Sequence, residues 1–178
     1  MKTKILSIGL ILVLGVSLNS CRKGENDPFI SLKSRDARIT GEWELTKSSY
    51  KYTHVNSSAT PYTYEVTNEF DGKTVTHTET GTTNSSYSYS YEMTIEKEGT
   101  YSYTEISSGH KDERTGEWYW FDNNKSKMGI FLCGGLLHVD RLTSKEMILT
   151  SDSYSKDTQT SGDSDEYTTT LTMTYTKK

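Results

Sequence analysis

Tyr87-Ser88-Tyr89-Ser90-Tyr91-Glu92-Met93-Thr94-Ile95 decides the fold. Aromatic and aliphatic residues hold every second position, with Ser, Thr and Glu between them. Successive side chains of a strand point to opposite faces, so this run builds a strand with one apolar face. The same period returns near the C-terminus, where Tyr167, Leu171, Met173 and Tyr175 share one face and Thr168, Thr170, Thr172, Thr174 and Thr176 the other. Between and before these lie further candidate strands at about 41–54, 61–70, 73–82, 99–107, 114–121, 127–133, 136–143 and 145–155. Turn residues punctuate them: Asp71-Gly72 between Phe70 and Thr74-Val75-Thr76 is a hairpin signal, and Asp122-Asn123-Asn124 follows Phe121. No segment after position 40 sustains a 3.6-residue apolar period, which argues against long helices.

Ten or so short strands must manage their open edges, and a meander that closes into a barrel or packs as two sheets does so. The expectation is an all-β, antiparallel, up-and-down meander. In the first strand the apolar parity shifts between Leu45 and Tyr50, as a bulge would cause, and bent strands serve barrel closure.

Working outward, the N-terminus reads differently. Lys2 and Lys4 precede an apolar run from Ile5 to Val16, which ends in Leu18-Asn19-Ser20-Cys21. The run is about a dozen residues, whereas a spanning helix needs roughly 20, so residues 1–20 are expected to be a removable signal peptide. The Leu18 to Cys21 sequence resembles the lipobox of bacterial lipoproteins. That resemblance implies cleavage before Cys21, lipid attached to Cys21, and a protein held at a membrane by several acyl chains, each buried methylene contributing about 0.8 kcal/mol. The alternative is a plain secretory signal with an incidental cysteine. Arg22, rather than an aspartate, follows the cysteine; this favours the outer membrane of the cell envelope, and Glu25 and Asp27 resemble acidic surface-export signals.

Loss of residues 1–20 removes Lys2 and Lys4 and no acid, so 20 basic residues fall to 18 against 24 acidic ones and the mature chain carries about −6. Such a chain has no electrostatic footprint for nucleic acid. With Cys21 lipidated only Cys133 remains, which excludes a disulfide framework; at the end of the apolar stretch Met128 to Leu132 it reads as a small buried hydrophobe. The 158 residues left of the 178 fit one domain. The expected organisation is a signal peptide over 1–20, a lipidated cysteine and polar tether over 21–38, and a barrel domain over 39–178. A short helical turn after Asp27-Pro28 is compatible with capping preferences.

Gly41-Glu42-Trp43 opens the first strand. With Thr115-Gly116-Glu117-Trp118, the Lys127 to Leu132 strand and Val139-Asp140-Arg141-Leu142-Thr143, it resembles the lipocalin-like domains of small Gram-negative lipoproteins. The resemblance implies a lipocalin-like (calycin) barrel of about eight to ten strands, with Trp43 packed across its closed end and a basic residue over the indole. Arg141 is the candidate for that cation–π role. Secreted lipocalins follow the barrel with a helix, whereas this chain ends on Tyr175-Thr176-Lys177-Lys178.

Catalytic and metal chemistry leave no trace. His54, His77, His110 and His138 are scattered singly, and no phosphate loop or nucleophile elbow occurs. The acids between Asp152 and Glu166 lack EF-hand spacing and read as a solvated hairpin, and Glu92 and Glu96 fall on the polar face of their strand. No cofactor, metal or catalytic residue is expected. The stripe of Tyr87, Tyr89 and Tyr91 is the positive feature: lining a barrel interior, it would offer apolar rings with hydroxyl tips to an amphipathic or sugar-like ligand. Tyrosine is equally a plain strand former. Two functions lead, a lipid-anchored module binding a small or amphipathic ligand in its barrel, and an accessory envelope lipoprotein with a filled barrel that contacts another envelope protein; an enzyme is kept as a third class only because a fold does not exclude a function.

Overall fold

The computed structural model describes residues 26–28, 33–80, 85–121, 129–158, 160 and 162–178. The signal peptide, Cys21 and the Asp122-Asn123-Asn124 turn lie outside these residues. One short helix, α1 (Arg35–Ile39), precedes eleven strands: β1 (Gly41–Asn56), β2 (Tyr62–Phe70), β3 (Thr74–Glu79), β4 (Ser85–Ile95), β5 (Thr100–Ser107), β6 (His110–Glu117), β7 (Tyr119–Trp120), β8 (Gly129–Leu132), β9 (Gly135–Leu142), β10 (Glu146–Thr158) and β11 (Ser164–Lys177). The all-β antiparallel meander expected from the period-two pattern is what forms.

Consecutive strands pair along one sheet from β6 back to β1, and then through β11 to β7. Two features bend it closed. β4 pairs with β3 over Ser85–Ser88 and with β1 over Glu92–Ile95, so β1 to β4 form a ring, with the β2–β3 hairpin filling the gap where β1 and β4 diverge. The two end strands, β6 and β7, are separated in the chain by Trp118 alone; β6 pairs with β5 and β7 with β8. The remaining opening is therefore bridged by the chain itself. Trp118 holds the bend: its N–H donates to the Gly99 carbonyl at 2.8 Å and its indole Nε1 to the Glu96 carbonyl at 2.7 Å.

The parity shift in β1 is a bulge at Thr46, between the pairs Leu45–Tyr175 and Lys47–Thr174, and the Thr46 hydroxyl donates to the Thr174 carbonyl at 3.2 Å. At the Asp71-Gly72 turn the Asp71 carboxylate accepts the N–H groups of Lys73 and Thr74, both at 2.9 Å, while Gly72 takes a φ of 100° that a side chain would strain.

The core lies in the lower half, where Trp43, Leu45, Met93, Ile95, Ile130, Leu132, Val139, Leu142, Met147 and Leu149 are buried. The far halves of β1, β2, β10 and β11 carry no comparable core and rise above it. At about 3.3 Å per residue the 16 residues of β1 extend roughly 50 Å, several times the length of four-residue β8.

Part of the stretch read as a polar tether over 21–38 is packed into the fold. Asp27, Arg35 and Arg38 are buried, and α1, capped by the Ser34 hydroxyl, closes the lower end of the barrel; the turn expected after Asp27-Pro28 falls on 29–32, outside the described residues. The polar composition of this stretch hides the fact that Asp27 pairs with both Arg35 and Arg38.

Candidate functional site

At the closed end, Trp43 is fully buried and its indole Nε1 donates to the Ile39 carbonyl at 2.7 Å. The cation over its ring is Lys177, with Nζ 5.0 Å from the ring centroid, and not Arg141. Arg141 is half exposed and pairs with Glu146 at 3.0 Å. The physical reason is a second bulge. β9 pairs Val139 with Leu149 and Arg141 with Ile148, leaving Asp140 as the extra residue; Val139 and Leu142 both point inward and Arg141 points out. Strict alternation from Leu137 and Val139 would have carried Arg141 inside. Lys177 stands directly opposite Trp43 in the β1–β11 register and donates from Nζ to the Arg38 carbonyl at 3.0 Å and to the Thr40 carbonyl.

Beside this lies a buried ionic cluster. Asp27 receives Arg35 Nε at 2.8 Å and Nη2 at 2.9 Å, Arg38 Nη2 at 3.0 Å, and the Leu142 N–H at 2.9 Å. Burial pushes the Asp27 carboxyl up, but the Arg35 and Leu142 bonds and the two guanidinium charges outweigh it and hold the group below the usual range.

The tyrosine stripe divides by depth. Tyr91 is only 9% exposed, stacked on Tyr103 at 4.9 Å and edge-on to Tyr175 at 6.2 Å, and belongs to the core. Burial pushes its phenol, and that of Tyr175, well up. Tyr89 packs edge-on against Phe70 at 5.3 Å, and Tyr87 is exposed near the rim. Rings of the protein itself thus occupy the barrel at the level of Tyr91.

Above that level the inward face continues. Phe70 and Met173, which flank Ser48 in the register, belong to the core or pack on it; two, four and six residues further along β1 the same face presents Tyr50, Tyr52 and His54. His54 is paired with Tyr64 on β2 and Tyr167 on β11. Its ring stacks on Tyr167 at 4.5 Å and meets Tyr62 edge-on at 5.2 Å, while Tyr52 meets Tyr64 at 6.4 Å. Asp165 orients the group: its Oδ1 lies 2.9 Å from His54 Nε2 and accepts from Asn56 Nδ2 at 2.7 Å. The opposite face of these strands carries the ion pairs Lys51–Glu65 at 2.7 Å and Lys156–Glu166 at 2.5 Å. One face is thus aromatic with polar tips, the other charged. Period two alone singles out the 87–91 run; the His54 cluster is assembled from three strands, and only their register brings it together.

A hollow of about 570 Å³ is lined by Glu42, Glu92, Thr94, Thr104, Glu113 and Lys178 among others. These alternate with inward-facing Trp43 and Met93, so they belong to the outer surface, and Glu92 and Glu113 among them are already paired, with Lys178 and Lys111. It is a poor ligand site.

Cys133 departs from the buried-hydrophobe reading. It sits exposed in the β8–β9 turn at a φ of 53°, with its sulfur turned in to 3.3 Å from the Tyr91 hydroxyl. Burial around the sulfur pushes the thiol up, against hydrogen bonds from Tyr91 and Tyr101 that pull it down. Since the thiolate is the nucleophile, alkylation by iodoacetamide at pH 8 is expected to run several-fold slower than that of glutathione; an equal rate would place the sulfur in water.

Among the described residues no group of three or more His, Cys, Asp or Glu is placed to hold a metal ion, and no helix is long and apolar enough to cross a membrane. Compared with protein-family models, curated proteins and solved structures, the chain matches none.

Proposed function

We propose that this is a lipid-anchored lipoprotein of the cell envelope, most consistent with the outer membrane, whose lipocalin-like domain binds an amphipathic or carbohydrate-like ligand. Binding takes place on the aromatic wall above the packed core rather than in a deep cavity. The observation that carries this reading is the cluster of Tyr52, His54, Tyr62, Tyr64 and Tyr167 on a face continuous with the barrel interior. Rings with hydroxyl or imidazole tips offer apolar area and directional hydrogen bonds together, as sugar faces and amphipathic molecules require. The lipocalin-like reading is further supported by Gly41-Glu42-Trp43 at the start of β1, by Trp43 under a cation at the closed end, and by the sheet's return onto itself.

The accessory reading, in which the protein acts through contacts with another envelope protein, draws on a different observation: Tyr91, Tyr103 and Tyr175 fill the barrel at mid-height. Native mass spectrometry of the full lipidated chain, extracted gently from its own envelope, separates the two. A reproducible small mass that is released on denaturation and lost in a Tyr52→Ser/Tyr167→Ser variant supports the wall as a ligand site. A bare protein, with cross-linking to one envelope protein through the same wall, overturns the small-ligand reading in favour of the accessory one.

A further inference from the structure

We infer that the outer face of β7 to β9 is a second membrane contact, occupied by the lipid surface into which the Cys21 anchor inserts; this rests on the lipid-anchor reading above. The face is apolar and aromatic. Ile130, Leu132 and Leu137 fill the interior, so Phe131 and Leu136 point outward. Tyr119 stacks on Phe131 at 5.0 Å. Phe121 is 64% exposed and Leu136 48%. Both border Gly129, where an added Cβ would meet Phe121 at 3.4 Å and Leu136 at 3.8 Å, so the two make one contiguous surface.

What covers it is argued from where the anchoring chain leaves the fold. Asp27 is locked into the closed end, and Asn26 Nδ2 donates to Asp140 Oδ1 at 2.9 Å. Asp140 lies two residues along β9 from His138, whose partner across the sheet is Gly129. With about 3.3 Å per residue and 4.8 Å between strands, the chain exits roughly 10 Å from the centre of the patch. Cys21 precedes Asn26 by five residues. Fully extended they reach at most about 18 Å, so the lipid must enter the bilayer within that radius of Asn26. A face so close to the anchor meets the headgroup layer, where aromatic rings are favoured. The acyl chains provide the attachment; the patch sets the orientation, with α1 towards the membrane and the aromatic wall of β1, β2 and β11 directed away from it.

The test uses the full lipidated chain with Cys133→Ser, reconstituted into phosphatidylethanolamine–phosphatidylglycerol vesicles, and carries an environment-sensitive fluorophore on either Leu136→Cys or Tyr154→Cys. Tyr154 is 62% exposed on the far arm. The expected result is a blue shift and several-fold stronger quenching by nitroxide-bearing lipid at 136 than at 154, with far-UV circular dichroism of both variants unchanged. Vesicle-bound protein with both labels in water overturns the patch contact and leaves the anchor standing. A label at 136 shielded equally in detergent, without response to nitroxide lipid, overturns it in favour of a second copy of the chain. Protein that fails to float with vesicles and has an unmodified Cys21 by mass overturns the anchor reading and this inference with it.

Discussion

Asp27→Asn is expected to lower the unfolding free energy by about 3–5 kcal/mol, because it removes the buried carboxylate that two buried guanidinium groups share. The side chains of Arg35 and Arg38 are about as inaccessible as Asp27 itself. For a domain of this size the change corresponds to a fall in Tm of roughly 10 °C, measurable by thermal or urea denaturation. The pH dependence has a fixed sign. The folded Asp27 carboxyl is held below its unfolded value, so its contribution is complete above the unfolded pKa and disappears as pH falls through the folded one. The variant should therefore lose part of the acid limb of the stability profile and differ least from the parent at the lowest pH. Replacing the whole cluster, as Asp27→Leu with Arg35→Met and Arg38→Met, is expected to recover only part of the loss. It removes the two guanidinium charges together with the carboxylate but orphans the Leu142 N–H and carbonyl that Asp27 and Arg38 now satisfy. A single Asp27→Asn variant as stable as the parent would show that the cluster is hydrated.

That cluster also marks the limit of what the sequence discloses. Alternation in 87–95 and 167–176 reveals strands because burial of one face acts residue by residue, and the bulge at Thr46 shows as a break in that alternation. The second bulge, at Asp140, leaves the same kind of trace, since apolar Leu137 and Val139 are followed by apolar Leu142 and not by an apolar residue at 141. Asp27 looks like a tether residue because its partners lie eight, eleven and 115 positions away. The tyrosine stripe is visible as a stripe, but depth along the barrel decides that Tyr91 is core and Tyr87 is rim, and depth is a property of the closed sheet. The His54 cluster depends in the same way on the pairing of β1 with β2 and β11.

Trp43→Ala is expected to cost a further about 3–5 kcal/mol in the same measurement, independent of Asp27, through the cavity left by a fully buried indole. The loss exceeds a volume effect. The Ile39 carbonyl, which receives the indole N–H, loses its partner at the C-terminal end of α1. Lys177 loses the ring beneath its ammonium while its surroundings remain poorly solvated; burial, with a smaller contribution from the Lys33 charge, already lowers its pKa. The two basic residues provide the discriminating comparison. Lys177→Met removes one cation–π contact and two hydrogen bonds to carbonyls and should cost about 1–2 kcal/mol. Arg141→Met breaks an exposed pair with Glu146 and should stay within about 0.5 kcal/mol of the parent. The reverse order, with Arg141 the more damaging, would mean that the bulge at Asp140 does not form and that β9 runs in strict alternation, with Arg141 over the indole after all.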